Sequence, residues 1–152
     1  MSAYSGLAPY YDALMEFDYD RLVEYYRELF EHYEVRPATI LDACCGTGQV
    51  TYRLAEYGYD MTGVDNSTEM LSLALNSCAE HNVLLLCQDL CELDLNDTVD
   101  AVVCALDGIN HLESLKTLQE EYRYVLRKFQ VARPTCSWSP LKERSVERHR
   151  KK

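Results

Sequence analysis

The stretch Thr39-Ile40-Leu41-Asp42-Ala43-Cys44-Cys45-Gly46-Thr47-Gly48-Gln49-Val50 constrains this chain more than any other. A short apolar run ends in an acid, a loop carries Gly-Thr-Gly, and an amphipathic segment from Val50 to Tyr57 follows directly. That order reads as a strand, a tight glycine turn and a helix start, the arrangement by which an α/β sheet holds a nucleotide-like ligand. Glycine is needed there because a residue without Cβ can take a positive φ and let the backbone pass close to a ligand. The dinucleotide fingerprint G-x-G-x-x-G would begin at Gly46 and Gly48, but its third position holds Thr51, too bulky for that close helix–strand contact. The better fit is acid-x-small-x-Gly-x-Gly, from Asp42 through Cys44 and Gly46 to Gly48.

The flanking segments supply the rest of an α/β pattern. Leu22, Tyr25, Tyr26, Leu29, Phe30 and Tyr33 recur at helical spacing and predict a helix from Asp20 to Tyr33, capped by Asp18 or Asp20 and stopped by Arg36-Pro37. Asp60 to Asp65 reads as a second strand ending in an acid, with Gly58 a good residue just past the preceding helix. Asp65 lies 17 residues past Gly48, near the ~20-residue offset of a ribose-binding carboxylate. Asn66-Ser67-Thr68-Glu69 resembles a capping box and starts a helix through Cys78. Val83–Cys87 is a continuous apolar run, the mark of a strand buried on both faces, and it ends in Gln88-Asp89-Leu90. Val99–Leu106 is a fourth strand, with Asp107, Asn110 and His111 at or just past its tip, where ligands meet open α/β sheets. A last helix carries Leu115, Leu118, Tyr122, Val125 and Leu126, to about Lys128.

At these residues the chain resembles the class I S-adenosylmethionine (SAM)-dependent methyltransferases. "LDACCGTGQV" is similar to that superfamily's first motif, with Cys44 where glycine is more usual, and "GVDNSTEML" to its second. The resemblance implies a Rossmann-like three-layer sandwich of which the N-terminal part is present, about four parallel strands with helices on both faces. It also implies SAM as cofactor. Gly46 and Gly48, with Cys44, would give the ligand its close backbone approach, and Asp42 would lie near the methionine part. Asp65 would bind ribose, with Asn66 and Met70 in the same motif; Asp89 would meet the adenine amino group and Leu90 the ring. A Tyr-Asp pair in the leader, here Tyr10, Tyr11 and Asp12, would fold over the cofactor. Ala105 to Asn110, Leu106 among them, would line the methionine end, and Asp107, Asn110 and His111 are the candidates facing the methyl acceptor. No catalytic base is assigned, because the sulfonium methyl is already activated and the protein mainly aligns donor and acceptor.

Composition narrows the partners. A net charge of −10 argues against nucleic acid as substrate, and the motif at the fourth strand's tip is not the N/D-P-P-Y/F type associated with base methylation. The expected acceptor is a small molecule. No apolar run is long enough to span a bilayer, and the first 20 residues lack the regions of a signal peptide, so the expectation is a cytoplasmic protein with no membrane partner. The seven cysteines show no C-x-x-C or Cys/His knuckle, so no metal is expected and reduced, mostly buried thiols are.

Residues 130–152 carry seven Lys+Arg against two Glu, a charge of +5, which leaves −15 on residues 1–129. The sequence therefore divides into a leader and helix (1–37), an incomplete SAM-binding core (38–128) and a basic, disordered tail (129–152). On this reading the chain is a truncated or frame-shifted methyltransferase, and an open edge on its fourth strand could pair in a homodimer. Two other functions stay open: a remnant that binds SAM weakly or not at all, and a nicotinamide-dependent oxidoreductase.

Overall fold

The computed structural model of the chain describes residues 8–106. Helix α1 (Tyr11–Met15) follows a single 3-10 turn and ends at Glu16, whose φ is +40°. Helix α2 (Tyr19–His32) starts at Asp18, whose side chain accepts from the Arg21 N–H at 2.9 Å. The cap is thus Asp18 rather than Asp20, and the helix begins one residue earlier than the spacing suggested. Strand β1 (Thr39–Ala43), helix α3 (Gln49–Glu56), strand β2 (Asp60–Asp65), helix α4 (Thr68–Ser77), strand β3 (Leu84–Cys87) and strand β4 (Ala101–Val103) complete the described elements.

All four strands run parallel in the order β3-β2-β1-β4. β1 is the pivot: it pairs with β2 from Thr39↔Asp60 to Ala43↔Val64, and with β4 from Ile40↔Ala101 to Asp42↔Val103. Every strand tip therefore points to the same end of the sheet, and the reversal of strand order falls between β1 and β4. That is where open α/β sheets bind ligands. At the opposite end a single carboxylate oxygen of Asp100 accepts from the Ala38 and Thr39 N–H groups and from the Thr39 hydroxyl, at 2.8, 2.9 and 3.1 Å. This staple sets the register of β4, which has only three residues of ladder to hold it.

The pleat sorts the core into two faces. Ile40, Met61, Ala101 and Val103 meet Tyr19 and Val23 of α2 and Val50 and Leu54 of α3, with α4 beside α3. Leu41 and Val64 point the other way and are covered by Leu93, Leu95 and Val99. Each fully buried Leu or Ile here is worth roughly 1.5–3 kcal/mol. Among the described residues the second face is thus covered by an irregular segment with one 3-10 turn, Leu90–Glu92. The helix expected through Leu126 lies outside the described residues, as does the tail.

Two strands differ from expectation. Val83–Cys87 reads as doubly buried, but β3 is an edge strand among the described residues, with Cys87 exposed and Leu84 56% exposed. An apolar run reports what the side chains prefer, and an edge strand is flanked on one side only. Of Val99–Leu106, regular strand is confined to Ala101–Val103.

Candidate functional site

The glycine loop joins β1 to α3 by alternating backbone hands. Cys44, Gly46 and Gly48 take φ of +59°, +54° and +77°. A non-glycine residue pays about 1–2 kcal/mol for that region, so Cys44 is a strained position where glycine would not be. The two glycines are needed for different reasons. A Cβ on Gly48 would sit 3.1 Å from the Ala74 Cβ and 3.2 Å from the Cys78 Sγ, so its bareness lets α4 approach the loop. A Cβ on Gly46 would meet nothing within 4 Å. The space before Gly46 is open, as a cradle for a ligand requires.

Asp65, at the tip of β2, organises this loop. One carboxylate oxygen accepts from the Gly46 N–H at 2.9 Å and the other from the Ser67 N–H at 2.9 Å. Cys45 N–H donates to the Val64 carbonyl, which ties the loop to β2 again. Ser67 in turn caps α4, accepting from the Met70 N–H at 3.3 Å. The cap is therefore Ser67 rather than Asn66, the first residue of the expected capping box, and Asp65, not Glu69, receives the cap residue's N–H. Each carboxylate oxygen has a second lone pair, and the group is partly exposed, so it retains capacity for a ligand's hydroxyls. Asn66 beside it is exposed, whereas Met70 is buried in the packing of α4.

Asp42 lies deeper. It is 1% exposed and accepts from the Thr51 hydroxyl at 2.6 Å. Burial pushes its carboxyl up to about 7, with the Thr51 hydrogen bond opposing and the Asp65 charge assisting. Thr51, itself 0% exposed, thus has a positive role in addition to being too large for a dinucleotide loop. Gly63 was not singled out by sequence, yet a Cβ there would meet the Leu85 Cδ2 at 2.8 Å and the Cys45 Sγ at 3.0 Å. Its bareness makes room for Cys45 under the loop.

The leader lies across the loop. Asp12 accepts from the Thr47 hydroxyl at 2.8 Å and from the Gln49 side-chain amide at 2.9 Å. The Gln49 side-chain oxygen then accepts from Arg53 at 2.7 Å, and Arg53 pairs with Asp20 at the start of α2. Tyr11 is half-buried beside this latch and Tyr10 is exposed. The sequence pointed to Asp12, but its partners come from 35 and 37 residues away.

At the other tips, Asp89 is exposed and Leu90 half-buried just past β3, and Leu106 follows β4 with φ of +56°. The Cys44 and Cys104 thiols lie within interacting range of each other, and the Tyr26 hydroxyl donates to the Cys104 carbonyl at 3.5 Å. Cys44, Cys45, Cys78, Cys87 and Cys104 are all free thiols; Cys45 and Cys78 are buried, whereas Cys87 is exposed. The structure thus brings Tyr11, Asp42, Cys44, Gly46, Gly48, Asp65, Asp89, Leu90 and Leu106 to one end of the sheet. Asp107, Asn110 and His111 lie outside the described residues. Among the described residues no cluster of His, Cys, Asp and Glu could hold a metal ion, and no helix is long and apolar enough to cross a membrane.

Known proteins resemble the chain over this same region. A family model described as a methyltransferase domain matches residues 40–128. The YqeM protein of Bacillus subtilis (strain 168), which is named as a methyltransferase, is 36% identical over 127 residues, covering 82% of this chain and 50% of that one. Glycine N-methyltransferase of Rattus norvegicus is 33% identical over 102 residues, 58% of this chain and 34% of that one. Among solved structures, a SAM-dependent methyltransferase from Clostridium acetobutylicum ATCC 824 superposes with a TM-score of 0.74 at 28% identity, covering 85% of this chain and 54% of that chain. SAM-bound CalS10, an amino pentose methyltransferase from Micromonospora echinaspora, gives 0.72 at 22% identity over 78% of this chain and 51% of that chain, a likeness of fold. The chain spans about half the length of the curated relatives it matches first.

Proposed function

The chain belongs to the class I SAM-dependent methyltransferases, and from that premise we propose that it binds SAM at the glycine loop and serves methyl transfer to a small-molecule acceptor. The observation that carries this reading is the Asp65 carboxylate clasping the Gly46 N–H while the space before Gly46 stays open. A half-exposed carboxylate at a β2 tip suits a ribose diol, because it offers acceptors to both hydroxyls. Asp89 and Leu90 lie past the adjacent β3 tip, a polar acceptor and an apolar flank for the adenine. Asp42, Cys44 and Leu106 border the loop and the β4 tip, where the methionine part would lie.

When bound, SAM supplies an electrophilic methyl group on a sulfonium centre. The chain's own residues hold, orient and desolvate. Gly46 lets the backbone approach, Asp65 fixes the ribose, and the leader, latched by Asp12, covers the loop and excludes water. The small-molecule class is supported by the net charge of −10, which disfavours polyanions. Relatives named for glycine and for an amino pentose are consistent with it. Thr51 argues against the dinucleotide alternative, since it occupies the fingerprint's third position and is committed to Asp42.

Calorimetric titration of the purified chain with SAM, with NADH as control, tests the proposal. Micromolar SAM binding that weakens at least tenfold in Asp65→Ala, with no response to NADH, is the expected result. A folded chain that ignores SAM, or binds it unchanged in Asp65→Ala, refutes the assignment.

A further inference from the structure

Two thiols stand where the sheet's order reverses, and the proposed methyl transfer gives their sulfur atoms no role. β1 and β4 are parallel neighbours with Asp42 opposite Val103. Cys104 follows its strand by one residue and Cys44 follows its strand by one, offset from each other by a single step of the continued register. Strand spacing and rise put such a diagonal at about 6 Å between Cα atoms, inside the roughly 4.4–6.8 Å that a disulfide bridges. Cys44 takes the left-handed conformation, and its thiol lies within interacting range of the Cys104 thiol. Both are partly exposed, so small solutes reach them.

We propose that Cys44 and Cys104 are a thiol-modification site at the methionine end of the cofactor pocket: hydroperoxides convert the pair to a disulfide that excludes SAM, and dithiols reopen it. The gating part rests on the SAM reading above; the pairing does not.

The two thiols are unequal. The interaction with Cys44 lowers Cys104 despite its burial, and the same interaction, followed by burial and the neighbouring charges, raises Cys44. In the proposed step Cys104 is the thiolate that reacts first. Its sulfur attacks a peroxide oxygen; the S–O bond forms, the O–O bond breaks, and the departing hydroxide takes up the proton Cys104 had lost. The Cys44 sulfur then displaces water from the sulfenic acid, the S–S bond forming as S–O breaks, and the Cys44 proton leaves with that water. Two electrons pass from the thiol pair to the peroxide. The bridge ties the loop that carries Gly46 to the β4 tip across the ligand's entry.

The test treats the folded chain with hydrogen peroxide, maps peptides by mass spectrometry without reduction, and titrates SAM before, after, and after dithiothreitol. A Cys45→Ala background removes ambiguity from the neighbouring thiol, and the wild-type map stands if that variant does not fold. We expect a Cys44–Cys104 linkage, at least tenfold weaker SAM binding, recovery with dithiothreitol, and no peroxide effect on affinity in Cys104→Ser. A map in which these two cysteines stay reduced or pair elsewhere while other thiols oxidise overturns the site. A mapped linkage that leaves SAM affinity unchanged overturns the gating. A reduced chain that never binds SAM sinks the cofactor reading instead, and the map still decides the pairing.

Discussion

The two glycines of the loop make the same demand on φ and different demands on space, and that difference can be measured. Gly46→Ala adds a methyl that meets no protein atom, so its cost to stability is the left-handed backbone alone, about 1–2 kcal/mol. Gly48→Ala adds that strain and a methyl pressed on Ala74 and Cys78, so it loses roughly 1–3 kcal/mol more from overpacking. SAM affinity should rank the other way relative to stability: Gly46→Ala intrudes on the ligand's space, Gly48→Ala on the protein's. Urea denaturation and SAM titration of both variants check the pair. Equal losses of stability would mean that α4 yields to the methyl. At this scale the sequence was informative about residue type and uninformative about partner. Asp42, Gly46, Gly48 and Asp65 could be picked out because acids and glycines at strand ends have few other uses. In the sequence Thr51 reads only as an obstacle and Gly63 carries no signal, since what each one touches comes from a different element.

At the scale of elements, the boundaries of β1 and β2 could be read to the residue, because each is a short apolar run bounded by an acid and a turn. The placement of β3 at the sheet edge could not be read, since pairing order is settled by which strands meet and not by the run itself. The leader shows the same limit. Tyr10-Tyr11-Asp12 suggested a cover, but what holds it is the Asp12 latch to Thr47 and Gln49. Asp12→Ala should leave the sheet intact and free α1. The two lost charge-assisted bonds are worth about 1.5–3 kcal/mol each where buried and less at this half-exposed site. Hydrogen exchange should therefore accelerate in residues 8–16 and stay unchanged in β1 and β2, while SAM dissociates faster. Uniform acceleration through the sheet would show that the latch supports the whole fold rather than the cover.

For the whole molecule, the buried Asp42 couples stability to pH. Its carboxyl is raised from 3.8 to about 7, chiefly by burial. Between those values the folded chain keeps a proton that the unfolded chain has released, so this group's contribution is full below about pH 4 and is lost as pH rises through 7. The total is at most about 4 kcal/mol for a shift of this size. Asp42→Asn removes the titration and keeps an oxygen for the Thr51 hydroxyl. Unfolding free energies of wild type and Asp42→Asn at pH 4, 5, 6 and 7 should therefore diverge, with the wild type losing ground as pH rises. Parallel curves would show that Asp42 stays ionised in the folded protein.

The alternation of backbone hands from Cys44 to Gly48 has one more consequence. Every second residue in that loop sits in the region that D-amino acids occupy as comfortably as L-residues occupy the right-handed helix. Three of the five residues thus reverse the usual backbone hand, and the loop's N–H groups run to separate protein acceptors, Cys45 to the Val64 carbonyl, Gly46 to Asp65 and Gly48 to the Cys45 carbonyl. The chain achieves this with two achiral residues and one L-cysteine held against its handedness. The position that departs from the usual glycine is therefore the one where the protein carries both a strained backbone and one thiol of the proposed pair.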